Sequence, residues 1–360
     1  MQQIVISNCG KQGIYFAGSS ASGNDISNCI IEDCSISRTV GTASVTQAVG
    51  LQLDYCNNIF IKNCLFGQSD GTVLSKDAIG ALIQNSNTVI FEQCDASLNK
   101  GLHSYGFKIT GTDTGSTACS FFRCSASNNI GTNSTAGGNG YGFYAQSINS
   151  CAFNHCIALG NSGTKNGYGF YYNATRYTHT VSCQSDYNKA GSFATTTTDG
   201  SRGFYATAGI GNEFITCLSK GNQGNASNAS STAIGFDLQS EVYPVMNECY
   251  SHSHGSQTSS YWSVGIQLSD CTQAMIKKCH SFNNRSTTLS QAYGIRDTST
   301  QSNALIIDCF FYGNGQGSTT SNFSVTYPNQ GELNTTAPVA AGGVSGIALV
   351  KPFQNVTITS

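Results

Sequence analysis

Apolar residues in this chain alternate with polar ones in bursts of three to five positions, the spacing of short strands and not of amphipathic helices. The bursts recur at a fixed period. Cysteines at 9, 34, 64, 94, 124, 156, 183, 217, 249, 279 and 309 are 25 to 34 residues apart, with a mean of 30. Seven of them stand 14 residues after the glycine of a glycine–apolar pair: Gly50-Leu51, Gly80-Ala81, Gly142-Phe143, Gly169-Phe170, Gly203-Phe204, Gly235-Phe236 and Gly265-Ile266. Two residues after the cysteine comes Ala or Ser (Ala96, Ala126, Ala158, Ser185, Ser219, Ser251, Ser281). Five after it comes Asn99, Asn129, Asn161, Asn188, Asn222, Asn284 or Asn314, with His254 substituting once.

A unit of about 30 residues is too short to enclose a core, so the units must stack. Gly and Asn are expected at the corners, where the backbone turns left-handed. Eleven to twelve stacked turns at about 4.8 Å per step make a rod roughly 55 Å long. After each restart glycine the first and third residues should face inward and the second outward. The outward row is Tyr15, Gln52, Leu82, Lys108, Tyr144, Tyr171, Tyr205, Asp237, Gln267 and Arg296.

The cysteine column, the Ala/Ser column, the corner asparagines and the glycine–aromatic restart resemble the right-handed parallel β-helix of the pectate-lyase-like superfamily, over essentially the whole chain. The resemblance implies an all-β, single-stranded solenoid in which the seven asparagines bond to one another and to the backbone. It points to no particular enzyme family. The Asn-Thr-Asp, Asp-Asp, Gly-His-Gly and Arg-Ile-Lys signatures of polygalacturonase-like enzymes are absent. Turns are expected over 1–317, a long loop insertion over 318–345 and a last turn over 346–360, opening at Gly346-Ile347-Ala348-Leu349.

Stacked cysteines would hold their Cβ atoms about 4.8 Å apart, wider than a disulfide's roughly 3.5–4.5 Å. Cys34, Cys64, Cys94, Cys124, Cys156, Cys183, Cys217, Cys249, Cys279 and Cys309 therefore read as a ladder of buried, reduced thiols. Cys29, Cys119 and Cys151 read as a second inward position. Cys56 and Cys271, six residues after their glycines, read as corner positions with accessible thiols.

Only 10% of residues are charged, against about 25% in an average soluble protein. The net charge of −2 gives no electrostatic case for nucleic acid or an anionic membrane. No apolar run approaches the ~18 residues that span a bilayer, and residues 1–9 lack the pattern of a secretory signal. Forty glycines without a three-residue period exclude collagen.

The tyrosines at 144, 171 and 205 form an outward aromatic strip bordered by Lys108, Asp237 and Arg296. Such a strip binds sugar rings or merely stabilises the sheet by cross-strand stacking. A lyase needs a base and often a carboxylate calcium site, and a hydrolase needs paired carboxyls. The 19 acidic residues are spread thinly. Glu32, Lys62 and Glu92, on successive turns, read as a surface ion-pair row, and Asp186 with Lys220 likewise. His252, His254 and His280 lack a fixed third ligand for a metal. Gly137-Gly138-Asn139-Gly140 does not open a helix as a phosphate cradle would. No cofactor motif is present, and the eight N-x-S/T sequons are what this composition gives by chance.

Two functions fit. The first is a non-enzymatic structural or surface-display rod, of the adhesin, virion-spike or filament kind. It would bind through variable loops such as 132–138 and 225–230, which lie between column cysteine and restart glycine. The second is a carbohydrate-binding or polysaccharide-degrading protein acting on the Tyr144–Tyr171–Tyr205 face. Strand-like ends leave three expectations: a piece of a longer protein, end-to-end self-association, or irregular caps. Unpaired cysteines favour folding in a reducing compartment, whereas the β-helix resemblance favours a cell-surface, extracellular or virion setting.

Overall fold

The computed structural model describes residues 4–314, except 19–25, 42–46, 73–75, 112–117, 134–136, 193–198, 226–230, 256–262, 286–291, 298–303 and 313, together with the strands Phe323–Val325 and Gln330–Asn334. The described residues contain no α-helix. One turn illustrates the rest. A front strand, Asn139–Gln146, ends at Ser147 (φ 51°), and a back strand, Ala152–Asn154, ends at His155 (φ 54°). A side strand, Ile157–Leu159, ends at Gly160 (φ 65°). The two-residue strand Ser162–Gly163 then leads to the next front strand, Asn166–Asn173. Each strand pairs in parallel with its counterpart one turn away, and the front sheet is eleven strands deep.

Two strands within 318–345 extend the stack. Phe323–Val325 pairs with Ala292–Asp297 and Gln330–Asn334 with Leu305–Tyr312. The rest of that segment, the turn expected over 346–360, and residues 134–136 and 226–230 of the two example loops lie outside the described residues.

The interior is built from columns of like side chains. On the front sheet Phe107, Phe143, Phe170, Phe204 and Phe236 stack face to face at 4.7–5.1 Å. Phe91, Phe121 and Phe153 do the same on the back sheet at 4.9 and 5.0 Å. The restart glycines stand beside the Ala/Ser column. A Cβ on Gly142 would lie 2.6 Å from the Gly169 carbonyl oxygen and 2.9 Å from Ala158 Cβ. Close approach, not left-handed backbone, is what requires glycine there.

The corners correct the expectation of Gly and Asn. The residue before each ladder cysteine is left-handed, with φ between 50° and 55°, yet the ten are Asp33, Asn63, Gln93, Arg123, His155, Ser182, Thr216, Glu248, Lys278 and Asp308. A left-handed L-residue costs roughly 1–2 kcal/mol, and the bonds on either side of the corner hold it. The carbonyl of Glu92, for example, accepts the N–H of Asn63 one turn below (3.0 Å). Its second lone pair meets the thiol of Cys94 at 3.3 Å. All ten ladder thiols donate in this way to the carbonyl two residues earlier, at 3.1–3.6 Å. Cysteine suits the position because it is small and apolar and still carries a weak donor.

Cys56 and Cys271 are not accessible. They are 2% and 0% exposed and follow the left-handed residues Tyr55 and Asp270 at a different corner. Their thiols likewise face the carbonyls of Asp54 (3.5 Å) and Ser269 (3.7 Å). Burial raises both thiol pKa values, that of Cys271 to about 12. Cys119 and Cys151 are buried as expected, whereas Cys29 and Cys9 are partly exposed, and all sixteen cysteines are free.

The asparagine ladder forms as the resemblance implied. Asn129 donates its backbone N–H (3.1 Å) and its Nδ2 (2.9 Å) to the side-chain oxygen of Asn161. Bonds of the same kind link Asn99 to Asn129, Asn161 to Asn188, Asn188 to Asn222 and Asn284 to Asn314. His254 fills the gap: its Nδ1 accepts the Asn222 N–H (3.2 Å), and its Nε2 therefore donates to Ser251 Oγ (2.9 Å). The ring must be neutral to do this, and burial pushes its pKa down to about 3.

Because folding lowers the His254 pKa, the unfolded chain binds the extra proton, and stability falls as pH drops from about 6.5 towards 3. Denaturant unfolding should show that His254→Asn, which restores the ladder residue, removes this acid sensitivity at a cost under about 1 kcal/mol. Asn161→Ala, which orphans the Asn129 donors, should lose about 2–4 kcal/mol at every pH. Equal acid sensitivity in His254→Asn would contradict the assignment.

Candidate functional site: the tyrosine face of the front sheet

The strands 104–110, 139–146, 166–173, 200–207, 232–239, 263–269 and 292–297 place Lys108, Tyr144, Tyr171, Tyr205, Asp237, Gln267 and Arg296 in one register column, on consecutive turns. The six candidate residues thus share one face. Tyr144 and Tyr171 stack at 5.0 Å with planes 7° apart, and Tyr171 and Tyr205 lie at 5.0 Å with a 41° tilt.

A second column, which sequence alternation missed, stands beside the first. Tyr105, Tyr141 and Tyr168 stack at 4.8 and 5.1 Å and meet the first column edge-on, Tyr141 to Tyr144 at 5.1 Å and Tyr168 to Tyr171 at 5.0 Å. These residues immediately precede the restart glycines. Strict alternation from the inward Phe would point them inward. The glycine drops out of the ladder register, so it and the following Phe both face in, and the preceding Tyr faces out.

Cations close both ends of this double stack. Lys108 Nζ sits 4.3 Å from the centre of the Tyr105 ring and 5.9 Å from that of Tyr144. The Arg202 guanidinium lies 5.0 Å from Tyr205 and 5.7 Å from Tyr168. Arg202 Nε donates to Asp237 Oδ2 at 2.6 Å, with both side chains buried, and Gln239 Nε2 donates to both Asp237 oxygens (3.2 and 3.1 Å). Arg296 donates to Gln267 Oε1 (3.4 Å) and lies over Tyr293.

Ring faces in this array are covered by neighbouring rings or by a cation. The Tyr144 and Tyr205 hydroxyls donate to Gln146 (2.7 Å) and Gln239 (2.9 Å). Burial raises the pKa of both tyrosines to about 12, so neither is a base at neutral pH. Burial also lowers the pKa of Lys108, with Asp77 opposing, but its ammonium is held on the rings. The arrangement is that of cross-strand stacking extended through cation–π contacts.

The remaining candidates separate. Lys62 pairs with Glu92 at 3.8 Å, as expected. Asp186 and Lys220 are register partners, but Asp186 is buried and the Lys220 ammonium lies over the Tyr187 ring. His252 stacks on Phe282 at 4.7 Å, and His280 lies between Tyr250 and Phe310. Among the described residues no group of three or more His, Cys, Asp or Glu is placed to hold a metal. Glu241, unmarked in the sequence, is fully buried. It accepts from Gly209 N–H and Asn212 Nδ2 at 2.8 Å each, and burial raises its pKa to about 7. It braces a corner.

A family model described as a right handed beta helix region matches residues 1–131, and the described strands carry the same winding well beyond them. The chain is a right-handed parallel β-helix. No curated protein matches it. Solved structures similar to this β-helix include pectate lyase Pel9A, at 14% identity over 96% of this chain and 70% of that one, with a TM-score of 0.41. They also include the A-module of the Azotobacter vinelandii mannuronan C-5 epimerase AlgE4, at 11% identity over 92% and 83%, with a TM-score of 0.38. The Dettilon tailspike protein is a third, at 9% identity over 98% and 62%, with a TM-score of 0.37.

Removing one partner of the buried pair should expose its role in the β-helix. Arg202→Met leaves the Asp237 carboxylate buried and unpaired and should cost about 3–5 kcal/mol in denaturant unfolding. Arg202→Met/Asp237→Leu should recover most of that loss. A single substitution without effect would show that the Arg202–Asp237 pair does not hold these turns together.

Proposed function

We propose that this β-helix is a rigid, non-catalytic rod of the structural or surface-display kind. The saturated front face carries the reading. Its tyrosine rings, the two cations at its ends and Asp237 all spend their interactions on one another, which stiffens the sheet and leaves no ring face, base or carboxyl pair turned to a substrate. Support also comes from the ladders, which bind each turn to the next through side chains as well as backbone.

The test is to incubate the full chain with pectate, alginate and neutral polysaccharides, following unsaturated uronate absorbance and new reducing ends, while small-angle scattering measures particle shape. The rod reading expects an elongated particle and no product above a buffer control. Turnover that Lys108→Met abolishes would replace it with the polysaccharide-degrading reading.

A further inference from the structure

The side strands and the corner that leads into them form one face along the long axis, and its outward residues change character from end to end. Leu65, Asp95, Ser125 and Ile157 stand in one register column on consecutive turns, and Leu218, Tyr250, His280 and Phe310 continue it beyond Gln184. The first half is low. The second is a ridge of three stacked rings, with centres 4.9 and 5.0 Å apart. Beside this column runs the row of left-handed corner residues, with Asn63, Gln93, Arg123 and His155 on one side of Ser182 and Thr216, Glu248, Lys278 and Asp308 on the other. An open groove of about 490 Å³ separates the ridge from the second half of that row. Leu65, Ile157 and Tyr250 on this face are 39%, 42% and 44% exposed.

The two halves complement each other. A two-fold axis along the strand direction, through Ser182 and Gln184, sets a second copy against this face with its long axis reversed. Each residue then meets the one equally far beyond the axis in the same column. Phe310 meets Leu65 and Leu218 meets Ile157, apolar on apolar. His280 meets Asp95, and the large Tyr250 meets the small Ser125. In the corner row Glu248 meets Arg123, Asp308 meets Asn63, Lys278 meets Gln93 and Thr216 meets His155. None of these eight pairs sets like charges together. Arg123 already lies over its own Phe122 ring at 4.9 Å, which extends it towards the groove of the second copy.

Charge also fixes the register. Sliding one copy by a single turn sets Asp308 against Asp33 in one direction and Lys278 against Arg123 in the other. A parallel pair, with the two-fold along the long axis, would set ridge against ridge. The face is also large enough. Its nine turns from Leu65 to Phe310 run about 40 Å, and the six residues His155 to Gly160 span about 16 Å. That is roughly 600 Å² per copy, so the two copies together clear the roughly 1,000 Å² of a specific interface.

We propose that two copies of this chain pair side by side and antiparallel through this face, with the Phe122–Arg123 corner of each seated in the groove between Glu248 and Tyr250 of the other. The pairing goes beyond the rod reading, which stands whether the rod is single or paired.

The test uses sedimentation equilibrium of the full chain. Twice the mass of one chain should appear at about 100 μM, with a dissociation constant on the order of 10 μM. Arg123→Glu and Glu248→Arg should each weaken association at least about tenfold, and the two together should restore it to within about threefold. A bismaleimide spanning about 10 Å, the separation of packed sheets, should join Gln184→Cys, on the axis, to its own copy above the wild-type background. It should not join Ser127→Cys, whose copies would lie about 19 Å apart along the long axis. A single-chain mass at about 0.5 mM, a charge reversal without effect, a double variant no better than the single ones, or crosslinking at position 127 and not at 184 would each overturn the proposal.

Discussion

Each residue in this chain must tolerate a near-copy of its own position about 4.8 Å above and below it. Everything else in the structure follows from that constraint. Side chains that stack well on themselves prosper: Phe on Phe and Tyr on Tyr with planes within about 10° through most of each column, Asn on Asn through reciprocal amide bonds, Cys on Cys as small buried thiols. Like charges do not. This explains a charged content of 10% better than any appeal to function. It also explains why Lys62–Glu92, Lys165–Asp199, Arg202–Asp237 and Lys278–Glu248 each join opposite signs on adjacent turns.

The corners are where the constraint meets local backbone energetics. A left-handed residue is unfavourable for any side chain with a Cβ, yet these corners are filled by Arg, Glu, Lys, Tyr and Thr. The stack makes them tolerable because the groups at each bend find partners. Backbone N–H groups bond to the next turn, and the thiol or amide that follows the bend turns inward onto a carbonyl or a ladder oxygen. The cysteine column is therefore more than filler. It supplies a donor in an otherwise apolar interior without the desolvation cost of a hydroxyl or amide.

The period, the two ladders and the outward column holding Lys108, Tyr144 and Arg296 were legible in the sequence because each depends only on counting. What was not legible depended on geometry within a turn. The second tyrosine column was hidden because the restart glycine breaks strict alternation, and that break arises from close packing on Ala158 and its equivalents. Cys56 and Cys271 were misplaced because the residue after a left-handed corner turns inward, and the corners carry no glycine to announce them.

The interior ladder can be seen directly by sulfur anomalous diffraction from crystals of the full chain. The account predicts that Cys34 to Cys309 give ten peaks in a single file, one per turn and about 4.8 Å apart, with none closer to its neighbour than van der Waals contact. Peaks paired at about 2 Å, or scattered over the surface, would contradict it.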